Sequence, residues 1–252
     1  MKILEVNSVN KSFGSKRVLQ NVSVKLHRGE LVCLLGVSGS GKSTLFNIIS
    51  GLIPPDSGRV FLKGEDITNR TGRVSYMLQK DLLLPYMKVR DNVSLPCRLK
   101  GMGKKEARKL AQEMFARFGL EGTQNLYPAQ LSGGMRQRAA LLRTYMFSQE
   151  VALLDEPFSA LDTLTKSAIH RWYLEVMEGI QLSTLFITHD IGEAIMLSDR
   201  IYLLGAGGTI TGELTVSVPR NQREAFDLSE EFLSCKRKII SMMQKDAGED
   251  NE

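Results

Sequence analysis

Four polar clusters in this chain follow apolar runs or open helices, and each carries residue types able to handle phosphate, a divalent cation or water. Gly36-Val37-Ser38-Gly39-Ser40-Gly41-Lys42-Ser43-Thr44 follows the apolar run Leu31 to Leu35 and precedes the helix-like Leu45 to Ile49. Glycines at 36, 39 and 41 let the backbone curl so that successive N–H groups face inward, where the dipole of the following helix adds positive potential. Lys42 then suits the β- and γ-phosphates of a nucleoside triphosphate, and the Ser43 hydroxyl suits the accompanying Mg²⁺. A plain glycine turn would use the same residues, but a strand before and a helix after are the context a P-loop requires.

The second cluster ends the run Val151-Ala152-Leu153-Leu154-Asp155-Glu156-Pro157, an apolar stretch of the kind buried on both faces of a parallel sheet. Asp155 fits a Mg²⁺ partner and Glu156 a group that polarises attacking water; the competing reading is a carboxylate that caps the next turn. The strand-like Ser183 to Thr188 ends at His189, placed where open α/β sheets bind ligands and able to donate to a γ-phosphate. Leu131-Ser132-Gly133-Gly134-Met135-Arg136-Gln137-Arg138 opens a strong helix. Its start reads either as an ordinary N-cap or as a second anion-binding helix terminus.

The elements that must position these groups are legible around them. Ile3–Val9 and Val18–Leu26 alternate as antiparallel strands, with Phe13 in the loop between, where its ring either stacks on a base or packs on the core. A short strand, Val74 to Leu78, ends at Gln79, which by itself reads as a solvated residue. Leu82 to Met87 is apolar but broken by Pro85, and either caps its own subdomain or docks another protein. Helical runs follow near 89–100, 104–118, 164–177 and 223–243. With 252 residues, 42% hydrophobic and 24% charged, one domain with an inserted subdomain is expected. No apolar run approaches the roughly 18 residues of a membrane span, and no secretory signal leads the chain. Cys33, Cys97 and Cys235 lie far apart without metal spacing, and the net charge of +5 discriminates weakly among anionic partners.

In their chain order, GVSGSGKST, Gln79, LSGGMRQR, VALLDEP, SALD and His189 resemble the ATPase subunit of an ABC transporter, over nearly all of Ile3 to Leu214. LSGGMRQR with DEPFSALDTLTK and THDIGEA is most similar to importer ATPases for nitrate, sulfonates, taurine and thiamine-precursor pyrimidines. Phe13 stands where that family usually has tyrosine, and Gly205-Ala206-Gly207-Gly208 where it often has Pro-Gly.

The resemblance implies a P-loop NTPase (RecA-like) α/β core with an N-terminal antiparallel β subdomain and an α-helical subdomain inserted at about 82–148. The ATPase domain would span 1–220, with a C-terminal helix and acidic tail over 221–252. It implies two copies sandwiching two ATP molecules. Phe13, Gly36, Ser38, Gly39, Ser40, Gly41, Lys42, Ser43 and Thr44 of one copy would face Ser132, Gly133, Gly134 and Asp162 of the other. Ser43, Gln79 and Asp155 would serve Mg²⁺, and Glu156, His189 and Gln79 hydrolysis. The implied partners are two transmembrane permease subunits and an extracytoplasmic substrate-binding protein, with the chain peripheral at the cytoplasmic face and touching neither nucleic acid nor the transported solute. A non-transport ABC ATPase acting on nucleic acid is the alternative.

Overall fold

The computed structural model describes residues 1–148, 150–159, 163–223 and 225–249, which fall into two compact units, 1–74 with 183–249 and 75–182. In the first unit, β1 (Lys2–Phe13) and β2 (Lys16–His27) form a hairpin, extended by β4 (Ser57–Leu62) and β5 (Glu65–Asp66) in the antiparallel order β2-β1-β4-β5. Val22, Val24 and Leu26 alternate inward along β2 and are buried, as their period of two requires. The strands run further than the sequence suggests: β1 continues to Phe13, which pairs with Lys16 across a tight turn at Gly14, φ +60°.

The same unit holds β3 (Leu31–Leu35), α1 (Lys42–Ile49), β8 (Ser183–Thr188), α6 (Ile191–Leu197), β9 (Arg200–Leu204) and β10 (Ile210–Thr215). β3 lies between β8 and β9 and is parallel to both, pairing Val32 with Leu185 and with Arg200; β10 adds antiparallel to β9. Every residue of β3 and β8 is buried, the pattern of strands covered on both faces. The expected helix 223–243 is interrupted. Single 3₁₀ turns occupy Arg220–Gln222 and Phe226–Leu228, and α7 (Glu230–Glu249) starts only after Ser229, whose hydroxyl accepts the Phe232 N–H at 3.1 Å.

In the second unit, β6 (Ser75–Met77) runs parallel to β7 (Val151–Asp155), and α2 (Val89–Leu99), α3 (Lys104–Phe115) and α4 (Gly133–Phe147) pack around Val93, Ala107, Ala111, Phe115 and Leu142. Arg108 of α3 grips the Asp91 carboxylate of α2 through Nε at 2.7 Å and Nη2 at 2.9 Å, a bidentate pair that fixes the two helices. α5 (Thr163–Ile180) buries Ile169, Tyr173, Val176 and Met177. Among the described residues no helix is long and apolar enough to cross a membrane.

Candidate functional site

The P-loop of the first unit joins β3 to α1. Its glycines are required by space as well as by torsion. A Cβ on Gly36 would stand 2.4 Å from the Leu204 carbonyl oxygen, and one on Gly41 2.8 Å from that of Val18. Gly41 caps α1 at φ +101° with no side chain on the first N–H groups of the helix, which lack intrahelical acceptors. Lys42 is 6% exposed, and its ammonium donates to the carbonyls of Gly36 at 2.9 Å and Val37 at 2.7 Å. Its charge is thus held inside the loop, beside N–H groups that a phosphate would satisfy. Ser40 is buried with its hydroxyl unpartnered among the described residues, while Ser38, Gly39 and Ser43 are exposed and Thr44 is half-buried. Phe13 does not pack on the core: its ring is 52% exposed at the tip of the β1–β2 hairpin, 5.4 Å from the Lys11 ammonium. His189, also in this unit, is exposed directly after Thr188, the last residue of β8; the next residue, Asp190, caps α6 by accepting the Glu193 N–H at 3.0 Å.

In the second unit Asp155 ends β7 at 8% exposure, with the Tyr76 hydroxyl 3.4 Å from its Oδ2. Burial and that neighbouring carboxylate push the Tyr76 hydroxyl well above its ordinary range, so it stays a donor toward Asp155. Glu156 adopts φ +46°, a left-handed backbone strained for a side chain that precedes proline. Its carboxylate Oε2 accepts from Gln79 Nε2 at 3.0 Å. Gln79 is therefore not simply solvated; it shares a hydrogen bond with the strand-end carboxylate and lies 3.5 Å from Ser159 Oγ. The Glu156 backbone carbonyl closes the turn that follows, accepting from Ser159 N and Oγ.

Ser132 and Gly133 stand exposed at the start of α4, and the Ser132 hydroxyl accepts the Met135 N–H at 3.2 Å. Ser132 is thus an N-cap, which leaves the N–H groups of Gly133 and Gly134 at an open, positively polarised helix end. Asp162 lies outside the described residues.

A family model described as ABC transporter matches residues 19–159, more than half of the chain, from β2 past Glu156. The chain belongs to the ABC transporter family. As an ATPase of that family it is 43% identical over 218 residues to the formylaminopyrimidine import ATP-binding protein ThiZ of Halalkalibacterium halodurans, covering 86% of this chain and 85% of ThiZ. It is 36% identical to the nitrate import ATP-binding protein NrtD of a Synechocystis species over 99% of this chain and 98% of NrtD. Among solved structures, the dimeric bacterial ABC transporter cassette MJ0796 matches with a TM-score of 0.72 and 30% identity over 86% of this chain and all of that one. The same cassette is known in a post-hydrolysis state bound to ADP and Pi. The fold of this ABC ATPase is accordingly the α/β fold of P-loop NTPases, and the protein binds and hydrolyses ATP.

Sequence reasoning missed the residues that hold this ABC ATPase's functional loops. Asn92 of α2 is fully buried and binds the backbone of Leu84 and Met87; Arg143 of α4 donates to the carbonyls of Asp81 and Leu82. Leu83 turns inward while Leu82 and Tyr86, the latter 74% exposed, face outward, so one loop both caps its unit and displays apolar surface. A polar residue at a helical position that periodicity assigns to the core, as at Asn92 between Val89, Val93 and Cys97, is the signal that would have found the first of them.

Proposed function

We propose that this chain is the ATP-hydrolysing subunit of an importer, working as a homodimer whose two copies enclose two ATP molecules. The observation that carries the reading is the pair of open helix N-termini, α1 behind Gly41 and α4 behind Ser132, in a chain that otherwise needs only one to bind a nucleotide. The P-loop residues 36–44 cradle the phosphates of one ATP, Phe13 offers its exposed ring to adenine, and Ser132, Gly133, Gly134 and Asp162 approach from the other copy.

In this reading Ser43, Gln79 and Asp155 carry the hard oxygen donors that Mg²⁺ prefers and would hold that ion, which would supply charge neutralisation at the phosphates. Glu156 accepts a proton from the attacking water, Gln79 keeps that carboxylate aimed, and His189 donates to the γ-phosphate. Hydrolysis removes the charge that both helix ends attract, and the copies part.

In this reading the helical subdomain inserts at about 82–148 and the C-terminal appendage spans 221–252. The Leu82 to Met87 loop, with Leu82 and Tyr86 outward, is the surface offered to the permease pair at the cytoplasmic face of the membrane. Mg²⁺, the permeases and an extracytoplasmic binding protein complete the assembly. Relatives named for nitrate and formylaminopyrimidine import point to a small polar solute, with sulfonates and taurine in the same group. Glu156→Gln tests the core of this reading. Phosphate release should fall by about 10²–10⁴-fold, the span of a positioned base, while MgATP drives the variant into a dimer measurable by light scattering. Undiminished turnover removes Glu156 from its role, and a variant that stays monomeric at saturating MgATP, free or in its membrane complex, removes the sandwich.

A further inference from the structure

The C-terminal segment grips α6 at both ends. Arg223 is 3% exposed, and its guanidinium meets backbone carbonyls alone among its described hydrogen-bond partners. Nη1 donates to Ser198 at 2.9 Å, Met196 at 3.0 Å and Ile195 at 3.4 Å, the carbonyls that a helix ending at Leu197 leaves without intrahelical partners. Nε and Nη2 hold Val218 at 2.9 and 2.7 Å. A buried cation on a helix C-terminus complements the negative end of its dipole. Burial nevertheless lowers the Arg223 pKa to about 10, which leaves it charged at neutral pH.

At the other end of α6, the Phe232 ring of α7 faces Gly192, where a Cβ would meet it in ordinary van der Waals contact at 3.8 Å. Phe232 stacks edge-on against Phe226 at 5.7 Å, and Phe226 lies 5.8 Å from the Arg223 guanidinium. Arg223 and Phe232 thus contact α6 near its two ends. Its N-cap Asp190 bonds back to Thr188 Oγ1 at 3.1 Å, so His189 is suspended between a buried strand end and a clamped helix start.

We infer that Arg223 is a positioning residue for His189: with Phe226 and Phe232 it locks helix α6 and so fixes where that imidazole stands during hydrolysis. The inference rests on the proposed γ-phosphate role of His189. The clamp acts on turnover and not on nucleotide affinity, because the P-loop is built on other elements. Displacing a reacting group by about 1 Å costs about 10²-fold in rate, so partial release of the clamp should cost about 10- to 100-fold.

The experiment is a double-mutant cycle in the full chain between Arg223→Gln and His189→Ala, reading kcat, KM for ATP and melting temperature. Arg223→Gln should lower kcat by about 10- to 100-fold with KM within about twofold. The double variant should be no slower than His189→Ala alone, and Arg223→Lys should recover part of the rate because one ammonium can still serve some of the carbonyls. Phe232→Leu, which loosens the other grip with less risk to folding, should give a smaller loss with the same non-additivity, and it carries the cycle if Arg223→Gln fails to fold. Losses that multiply in the double variant, or an Arg223→Gln enzyme at the normal rate, overturn the clamp alone. A His189→Ala enzyme at the normal rate overturns the role of His189 and the clamp with it.

Discussion

Asn92→Ala should melt the Leu82 to Met87 loop while sparing the nucleotide site. Asn92 is fully buried on α2, its Oδ1 accepting the Leu84 N–H at 2.7 Å and its Nδ2 donating to the carbonyls of Leu84 at 3.1 Å and Met87 at 3.0 Å. Three such bonds at about 1 kcal/mol each give about 3 kcal/mol, with stranded backbone groups raising that figure and entering water lowering it. A loss of about 3 kcal/mol is about a 10²-fold shift in the local opening equilibrium. Hydrogen exchange read by mass spectrometry should show it as faster exchange over 83–88, against unchanged exchange in α1. Asn92→Asp should be worse than alanine at neutral pH, since it keeps an acceptor for Leu84 N–H but faces two carbonyl oxygens with a carboxylate. It should recover in acid, where a protonated carboxyl donates to one of them. Exchange over 83–88 unchanged in Asn92→Ala, or an aspartate tolerated at neutral pH, would refute the reasoning.

Gly41→Ala places a Cβ 2.8 Å from the Val18 carbonyl at a φ of +101°; strain of about 1–3 kcal/mol should raise KM for ATP about 5- to 150-fold. Gly39→Ala, at φ +83° with open space around its Cβ, should cost less in the same ATPase assay. Phe13→Ala should weaken ATP binding by about 1–3 kcal/mol in calorimetry, the worth of an aromatic on a base, while Phe13→Tyr preserves it. Glu30 contributes to the acid dependence of stability. Burial would raise its pKa, but hydrogen bonds from Arg200 and the His27 N–H, with the Arg200 charge, bring it below the ordinary value of 4.5. A depressed carboxylate stabilises the fold above its unfolded pKa and loses that contribution as the pH falls through the folded one. Stability measured below about pH 4.5 should therefore decline less steeply in Glu30→Gln than in the parent.

The groups proposed to do chemistry were readable because each interrupts a local pattern. A carboxylate after Val151 to Leu154, or a histidine after Leu185 to Thr188, breaks an apolar run that buries both faces, and the strands end there in the structure. What holds those groups was not readable. Arg223 makes sense only against carbonyls some 25 residues earlier, and Arg143 only against a loop some 60 residues away. The helix expected over 223–243 begins only at Glu230 for the same reason. Its apolar spacing included Phe226 and Phe232, but those rings face α6 from a 3₁₀ turn and from a new helix capped by Ser229. Phe13 falls in a loop when the strands are read as Ile3–Val9 and Val18–Leu26, whereas cross-strand pairing with Lys16 carries the strand through it.

Within the second unit, one short loop ties together groups of different proposed roles, and the bonds say how a push on one would reach the others. Gln79 hydrogen-bonds the Glu156 carboxylate, and two residues on Asp81 lies 3.5 Å from Arg136, whose Nη1 also holds the Leu131 carbonyl just before Ser132. Arg143, one face of α4 further along, donates to the carbonyls of Asp81 and Leu82, and burial lowers its pKa, so moving it to a place without acceptors would leave a charge unserved. Leu82 itself sits at φ +45°, a torsion its side chain does not favour and that these bonds sustain. A partner pressing on the exposed Leu82 and Tyr86 would therefore meet a segment whose backbone is fixed to the helix that Ser132 caps and whose near end is fixed to Glu156. On the proposed reading, coupling needs no long path: the docking surface lies on the stretch from Gln79 to Tyr86, to which α4 and the Glu156 carboxylate are both directly bonded.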